Sequence, residues 1–466
     1  MIKSSKVKQE QERKGYKFRL IIPNSATEHK FAQLVGCCRF VWNKALAWLK
    51  QDDDDYRTIV TMSRMNGGDA TGITAFFKFN PYNQLSAMLT KWKQDPETQF
   101  LAEAYSKSLQ IVLEELGQAV VEAKSKTNPT RVSKQYPVFK KRGIKDSFSF
   151  NGAIKHDVEN GRIFVPKLGI WLRYRKSREV LGVVKNVTIS KQAGEWYVSL
   201  QSERPLSQVN PEWVNTNQVI GIDVGIAKAV SASDTISFEY QGQQIASNQL
   251  DSVNPLKLYQ AKLAKLQKDL ARKSKFSRNW QKQKAKVGKL HTQIANIRKD
   301  FVHKITTAIS KSYAYVALEA LKVKNMSKSA KGTITEPGKK VKQKSGLNRS
   351  ILDQGWGMFR QFLAYKLNYN YGTELIEVNP QYTSQRCSSC GHTHADNRKN
   401  QAGFSCVECG LTMNADLNAS LNIRTAGLAG IACGVDGMPS IQNATLKQEP
   451  TESVDFRVND VGIFEL

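Results

Sequence analysis

The sequence has little of what a secreted or membrane-bound protein needs. No run among its 466 residues approaches the roughly 18 uncharged apolar positions of a spanning helix. The opening MIKSSKVKQEQERKGYKF has no apolar core of the signal-peptide kind. Cysteine is scarce, and seven residues in a chain of this length do not make a disulfide scaffold. Acid is scarce too: 41 Asp and Glu stand against 69 Lys and Arg, a formal net charge of +28. A charge so one-sided repels itself unless a polyanion lies against it, so nucleic acid is the expected partner. These absences predict a soluble cytoplasmic protein with no membrane partner, long enough for two or three domains.

Residues 16–22, YKFRLII, alternate like a strand that Pro23-Asn24-Ser25 ends. From Ala26 to about Lys126 apolar residues such as Phe31, Leu34, Val35, Leu109, Val112 and Leu116 recur at helical spacing. Cys37 and Cys38, adjacent in the apolar run LVGCCRFVW, are expected to be buried packing. Strand character returns near Phe139 and continues through FSFNG, GRIFVPKLGIWLRY and VKNVTISKQAGEWYVSLQSE. Gly-bearing turns separate these segments, predicting a small antiparallel barrel or sheet with a helical block inserted after its first strand.

After the polar linker VNPEWVNTNQ, the run VIGIDVGI at 219–226 reads as a buried strand that opens a new domain. Pro255 to Ser310 is long-helix-like, with Val287, Leu290, Ile294, Ile297, Phe301, Ile305 and Ile309 on one apolar stripe. Residues 261–304 carry 14 Lys and Arg against two Asp, and a face that needed only solubility would mix both signs. Lys273, Lys275, Arg278, Lys282 and Lys286 are therefore expected to face phosphates. A second buried strand, YVALEAL at 315–321, precedes a Lys-, Gly- and Ser-rich stretch, Lys328 to Gly346, expected to be a mobile loop. A helix around Leu352 to Leu367 and a strand ELIEVNP at 374–380 follow. Beyond residue 432 the tail is acidic and aperiodic, its disorder is expected, and Cys433 in it has no expected chemistry.

Two groups of residues could carry chemistry. Cys387-Ser-Ser-Cys390 and Cys406-Val-Glu-Cys409 are 15 residues apart, each pair followed by a glycine. Such knuckles bring four thiolates to the corners of a tetrahedron and hold one structural zinc without an open position, so His392 and His394 are not needed as ligands. The second group is three carboxylates, each where a charge is expensive: Asp223 in VIGIDVGI, Glu319 in YVALEAL, and Asp416 in MNADLNASLNI. A buried carboxylate must be paired or must bind a cation, and one alone would be read as a salt bridge. Three in apolar elements of one domain fit convergence on a pair of divalent metals, two Mg2+, better.

The ordered segments GIDVGIAKAV, VALEALKVKNM, LNRSILDQGWGMFRQFLAYK, NPQYTSQRCSSCGH, CVECG and ADLNASLNIRTAG resemble TnpB (OrfB), the accessory protein of small bacterial insertion sequences, related to type V CRISPR effectors. The N-terminal YKFRL and GCCRFVWNKAL resemble the family's opening segment as well. The resemblance implies an RNA-guided DNA endonuclease. A guide RNA from the element end would pair with one strand of double-stranded DNA, and a single RuvC site would cut both. It implies a multidomain α+β fold: an RNase H-like (RuvC) α/β nuclease domain with an inserted zinc ribbon, and an N-terminal wedge β-barrel carrying a helical insertion. The expected division is 1–24 and 131–212 for the wedge barrel, 25–130 for the helical recognition lobe, 213–382 and 413–430 for the nuclease domain, 383–412 for the ribbon, and 431–466 for the tail. Asp223, Glu319 and Asp416 match the family's metal-binding carboxylates, and the four cysteines match its knuckles. Ala320 departs from the second acid that many members carry after the glutamate, but that position is not a metal ligand. The resemblance also places the protein in the bacterial cytoplasm, at the nucleoid.

Other readings exist. A nuclease-independent RNA-guided repressor would lack at least one carboxylate, and all three are present. A strand-transferring transposase with a His-x-His motif would have to use His392-Thr-His394, which sits inside the cysteine loop. A miniature type V CRISPR effector differs from TnpB in its neighbouring locus and not in its residues.

Overall fold

The computed structural model describes residues 11–68, 81–124, 136–144, 146–152, 154–205, 218–368 and 374–432. Most of the polar linker, Cys433 and all of the acidic tail but its first residues lie outside them. The described residues form two compact units, one ending at residue 205 and the other starting at 218. Among the described residues no helix is long and apolar enough to cross a membrane.

In the first unit the chain order is β1 (Gln11–Arg19), α1 (Ser25–Met65), α2 (Pro81–Gln94), α3 (Ser106–Lys124), β2 (Asp146–Asn151), β3 (His156–Asp157), β4 (Arg162–Val165), β5 (Ile170–Arg173), β6 (Val183–Gln192) and β7 (Glu195–Pro205). Strands β1-β7-β6-β2 make one antiparallel sheet and β3-β4-β5 a second, joined by a bridge between Leu20 and Tyr174. The helices thus interrupt a sheet whose first strand pairs with its last. Asn24 caps α1 by accepting from the Thr27 amide at 2.8 Å. Phe31 of α1 packs edge-on against Phe148 and Trp196 of the sheet, with centroids 5.3 and 5.1 Å apart. Cys37 and Cys38 are buried in that core, and burial pushes the Cys38 thiol up to about 12. Residues 136–144, where strand character was expected, contain no strand. They are tied instead to α1, where Asn43 and Lys140 exchange side-chain-to-backbone bonds of 3.0 and 2.7 Å.

The second unit contains β8 (Val219–Asp223), β9 (Lys228–Tyr240), β10 (Gln243–Asp251), α4 (Pro255–Ala271), α5 (Arg278–Ser312), β11 (Tyr315–Glu319), α6 (Val323–Met326), α7 (Val341–Gln354), α8 (Trp356–Asn368), β12 (Glu374–Val378), β13 (Gly403–Ser405), β14 (Thr412–Asn414) and α9 (Ala415–Ala432). Its main sheet has the order β10-β9-β8-β11-β12. β8, β11 and β12 run parallel, while β9 is antiparallel to β8 and β10 is antiparallel to β9. β8 and β11 are apolar runs of the sequence, as expected of strands covered on both faces, whereas β12 at the edge carries Glu374 and Glu377 and buries only Val378. Helix α9 lies against the centre of the sheet at Gly221, where an added Cβ would sit 2.1 Å from the Ser420 carbonyl oxygen. Only glycine allows so close an approach.

Three helical stretches differ from expectation. The long basic segment is two helices, broken at residues 272–277 and packed as a hairpin through Leu263, Leu290 and Ile294. The Lys- and Ser-rich stretch expected to be a loop contains the start of α7. The helix expected around Leu352 to Leu367 is split between α7 and α8 at Gly355, whose φ of 70° few other residues adopt. Asp353 repays that break. Its carboxylate accepts from Arg298 at 2.5 Å and from the Leu256 amide at 3.0 Å, closing the start of α4.

Candidate functional site

Asp223 is the last residue of β8, and Glu319 is the last of β11. The two strands are parallel neighbours in register, Ile222 opposite Leu318, so both side chains leave the sheet at the same end. Asp416 reaches that end from the first turn of α9, where the helix dipole favours an anion. Asn414 caps this turn, its side-chain oxygen accepting from the Asp416 and Leu417 amides at 3.0 and 3.2 Å.

The three carboxylates are half-buried. Burial, then the charges of Glu319 and Asp416, push the Asp223 carboxyl up to about 7. Burial also raises Glu319, against a hydrogen bond from Thr383 and the charge of Arg398. Thr383 donates to Glu319 Oε1 at 2.6 Å. Arg398 donates to Asp416 Oδ1 at 3.1 Å and to the Gln401 carbonyl at 2.9 Å. A half-buried carboxyl raised by two neighbouring acids favours a cation beside it, and hard carboxylate oxygens suit a hard divalent ion.

The four cysteines gather beside this end of the sheet. Their sulfurs all lie within 4.8 Å of one another, with Cys387 to Cys409 and Cys390 to Cys406 both at 3.6 Å. A tetrahedral zinc with bonds of about 2.3 Å needs sulfurs roughly 3.8 Å apart, so this cluster could hold one. The backbone amides of Cys409 and Glu408 lower the Cys406 thiol, while hydrogen bonds shared with the other sulfurs raise Cys390, so the four thiols hold their protons jointly until a metal displaces them. His392 and His394 are outside this group. Buried Asn397 ties the two knuckles together, donating to Gln385 and His392 carbonyls and accepting from the Val407 amide.

Two buried residues of α9 connect the cysteine segment to the carboxylates. Asn418 donates to the Arg386 carbonyl at 2.7 Å and accepts from the Ser388 amide at 2.9 Å. Asn422, one turn on, donates to Thr383 and Arg386 carbonyls at 2.9 and 2.6 Å. The helix that supplies Asp416 therefore also holds the backbone that supplies Thr383. Sequence reasoning missed Thr383, Arg398, Asn418 and Asn422. The recurrence of Asn at a four-residue interval in ADLNASLN was the available signal for the last two; Arg398 had none.

Lys273 and Lys275 lie in the turn between α4 and α5, and Arg278, Lys282 and Lys286 follow at helical spacing on α5. All but Lys273 are exposed, and no acidic side chain pairs with any of the five among the described residues.

Comparison with known proteins matches three profiles: an OrfB profile described as "Probable transposase" over residues 198–330, a "Cas12f1-like, TNB domain" over 356–423, and an OrfB "Helix-turn-helix domain" over 13–52. The last segment folds here as β1 and the first part of the single helix α1, with no second helix after a turn. An Escherichia coli (strain K12) protein named RNA-guided DNA endonuclease InsQ is 45% identical over 94% of this chain and 98% of its own length. A Streptomyces pristinaespiralis protein named RNA-guided DNA endonuclease is 30% identical over 95% and 97%. A TnpB-like protein, L770 of Acanthamoeba polyphaga mimivirus, is 25% identical over 58% of this chain and 48% of its own. A solved complex of Cas12f1 with sgRNA and target DNA aligns over 89% of the chain at 19% identity, but its TM-score of 0.29 is too low to bear on the fold. Nearly end-to-end identity at these levels, together with the OrfB profiles, leaves one conclusion: the chain belongs to the TnpB (OrfB) family.

Proposed function

We propose that this protein is an RNA-guided DNA endonuclease that cuts double-stranded DNA at the carboxylate cluster, with a guide RNA from the end of its element selecting the target. The observation that carries this is the meeting of Asp223, Glu319 and Asp416, far apart in sequence, at one end of one sheet. The sheet order supports an RNase H-like (RuvC) reading, with the first strand central, an antiparallel meander of the second and third on one side of it and the fourth and fifth parallel to it on the other. Two Mg2+ held by the three carboxylates would stabilise the attacking water and the departing 3′ oxygen of a phosphodiester.

The chain's own groups prepare that site. Thr383 fixes one oxygen of Glu319 by its hydrogen bond. Arg398 offsets part of the mutual repulsion of the acids and offers a cation next to where a phosphate would lie. Asp223, held up to about 7, would hold the cation as a carboxylate, so its proton would leave when an ion binds. The four cysteines would hold one structural zinc. Residues 1–24 and 131–212 serve as the wedge barrel, 25–130 as the recognition lobe, 213–382 and 413–430 as the nuclease domain and 383–412 as the ribbon. A DNA target puts its work at the nucleoid.

The test is cleavage measured beside binding on the purified protein with guide RNA and target DNA. Asp223→Ala should cut at least about a thousandfold more slowly, since charge stabilisation worth several kcal/mol is lost, while RNA and DNA binding persist. Undiminished cutting would overturn the assignment.

A further inference from the structure

The turn between α4 and α5 carries an anomaly that phosphate binding does not explain. Phe276 is 78% exposed at its tip, and its φ of 68° lies in the left-handed region that a bulky side chain rarely adopts. The turn around it is well tied. The Phe276 carbonyl accepts from the Gln281 side chain at 3.0 Å, the Ser277 amide donates to the Ser274 carbonyl at 3.2 Å, and Ser277 caps α5 by accepting from the Trp280 amide at 3.1 Å. The ring is therefore held outward by an ordered backbone. Half-buried Trp280 backs it, with centroids 5.6 Å apart and planes inclined by 51°. The Lys284 ammonium stands over the indole at 4.9 Å, and Lys275 and Arg278 flank Phe276 in sequence.

A strained, solvent-facing aromatic amid cations is costly in water and serves no packing purpose in its own unit. A phosphate needs no aromatic ring. An apolar protein partner would not call for Lys275 and Arg278 in the same exposed turn, whereas a nucleobase presents a π-face beside a phosphate. We infer that Phe276, backed by Trp280, is a stacking platform for an unpaired base of the bound RNA, while the surrounding cations engage that RNA's phosphates. This inference rests on the guide-RNA reading above and adds a base contact that the charge alone does not give. Stacking tolerates any base, so the platform would hold position along the RNA without reading its sequence.

The experiment measures affinity of the full-length protein for a labelled single-stranded RNA at several salt concentrations, beside an abasic strand of equal length and the same sequence as DNA. Phe276→Ala should weaken RNA binding about fivefold or more at every salt concentration, leave the salt slope unchanged, and leave binding of the abasic strand as in wild type. Lys275→Gln with Arg278→Gln should flatten the slope instead. Phe276→Gly keeps the test independent of folding: it relieves the backbone, so it should unfold at a higher temperature than wild type while binding RNA more weakly. Wild-type affinity in Phe276→Ala would overturn the platform, and so would an equal loss on the abasic strand. A loss confined to the DNA strand would overturn the assignment to RNA. Loss of self-association with unchanged RNA affinity would give the tip to a second copy of the chain. If wild-type protein binds no RNA, the guide-RNA reading falls with the inference; if only the variants match wild type, that reading stands and the inference alone fails.

Discussion

The carboxylate cluster and the cysteine cluster lie in the same unit and are built on opposite principles. The four sulfurs come from two short knuckles within 23 residues of sequence, close to within 4.8 Å, and are tied to each other by local bonds such as those of Asn397. The three acids come from two strands and a helix spread over nearly 200 residues, and only the sheet brings them together. One cluster is closed and complete; the other is charged, half-buried and drawn from distant segments. A site that holds a fold together can be local, whereas a site that does chemistry on a large ligand must sit where rigid elements end and space begins.

Removing the local cluster should have the largest effect on structure. Cys387→Ser is expected to lose the bound zinc that elemental analysis should find at one per chain in wild type, and to unfold residues 383–412, because metal binding supplies folding free energy on the order of 10 kcal/mol in so small an element. Protein purified without chelator that contains no zinc would break the comparison at its first term.

The second test breaks the scaffold of the open cluster without touching an acid. Gly221→Ala places a Cβ 2.1 Å from the Ser420 carbonyl and 2.4 Å from the Arg424 amide, both backbone atoms that cannot step aside. A stability loss of about 3 kcal/mol is expected in denaturant unfolding, with cleavage reduced because α9 carries Asp416 away from β8. Wild-type stability would mean that the helix packs less closely than the distances imply.

A finer test separates the bridge between the clusters from either one. Thr383→Val keeps shape but removes the hydroxyl that holds Glu319. Affinity for Mn2+ measured by calorimetry should fall about tenfold, the usual cost of losing such an outer contact, with zinc content unchanged. Equal Mn2+ affinity in the variant would show that Glu319 is fixed by other means.

The smallest effect is one of pH. Without divalent ions the folded protein keeps a proton on Asp223 up to about pH 7, whereas the unfolded chain releases it near pH 4. The native state binds more protons in that window, so this group's contribution to stability is full below about pH 4 and is lost as pH rises to about 7. In the presence of chelator, Asp223→Asn should therefore flatten the fall in melting temperature between those values. Parallel curves for variant and wild type would remove the electrostatic coupling from the account.

The sequence by itself determined the elements whose signal is local. The CxxC pairs announced their cluster because ligand spacing is a property of a short loop, and VIGID and YVALE announced buried strands because a charge in an apolar run stands out. The one-sided charge of residues 261–304 likewise needed no fold to be seen. What only the tertiary structure decided is which elements become neighbours. No periodicity says that β8 lies beside β11, that Gly221 meets the backbone of α9, or that Arg398 from a polar loop reaches Asp416. The breaks at 272–277 and at Gly355 did carry local marks, an N-cap serine at Ser277 and a left-handed C-cap glycine, but the apolar stripe runs on past them and only the packing, such as Arg298 on Asp353, shows that the chain stops there. Pattern records how a segment meets solvent or core; it does not record which segment it meets, and the candidate active site exists only in those meetings.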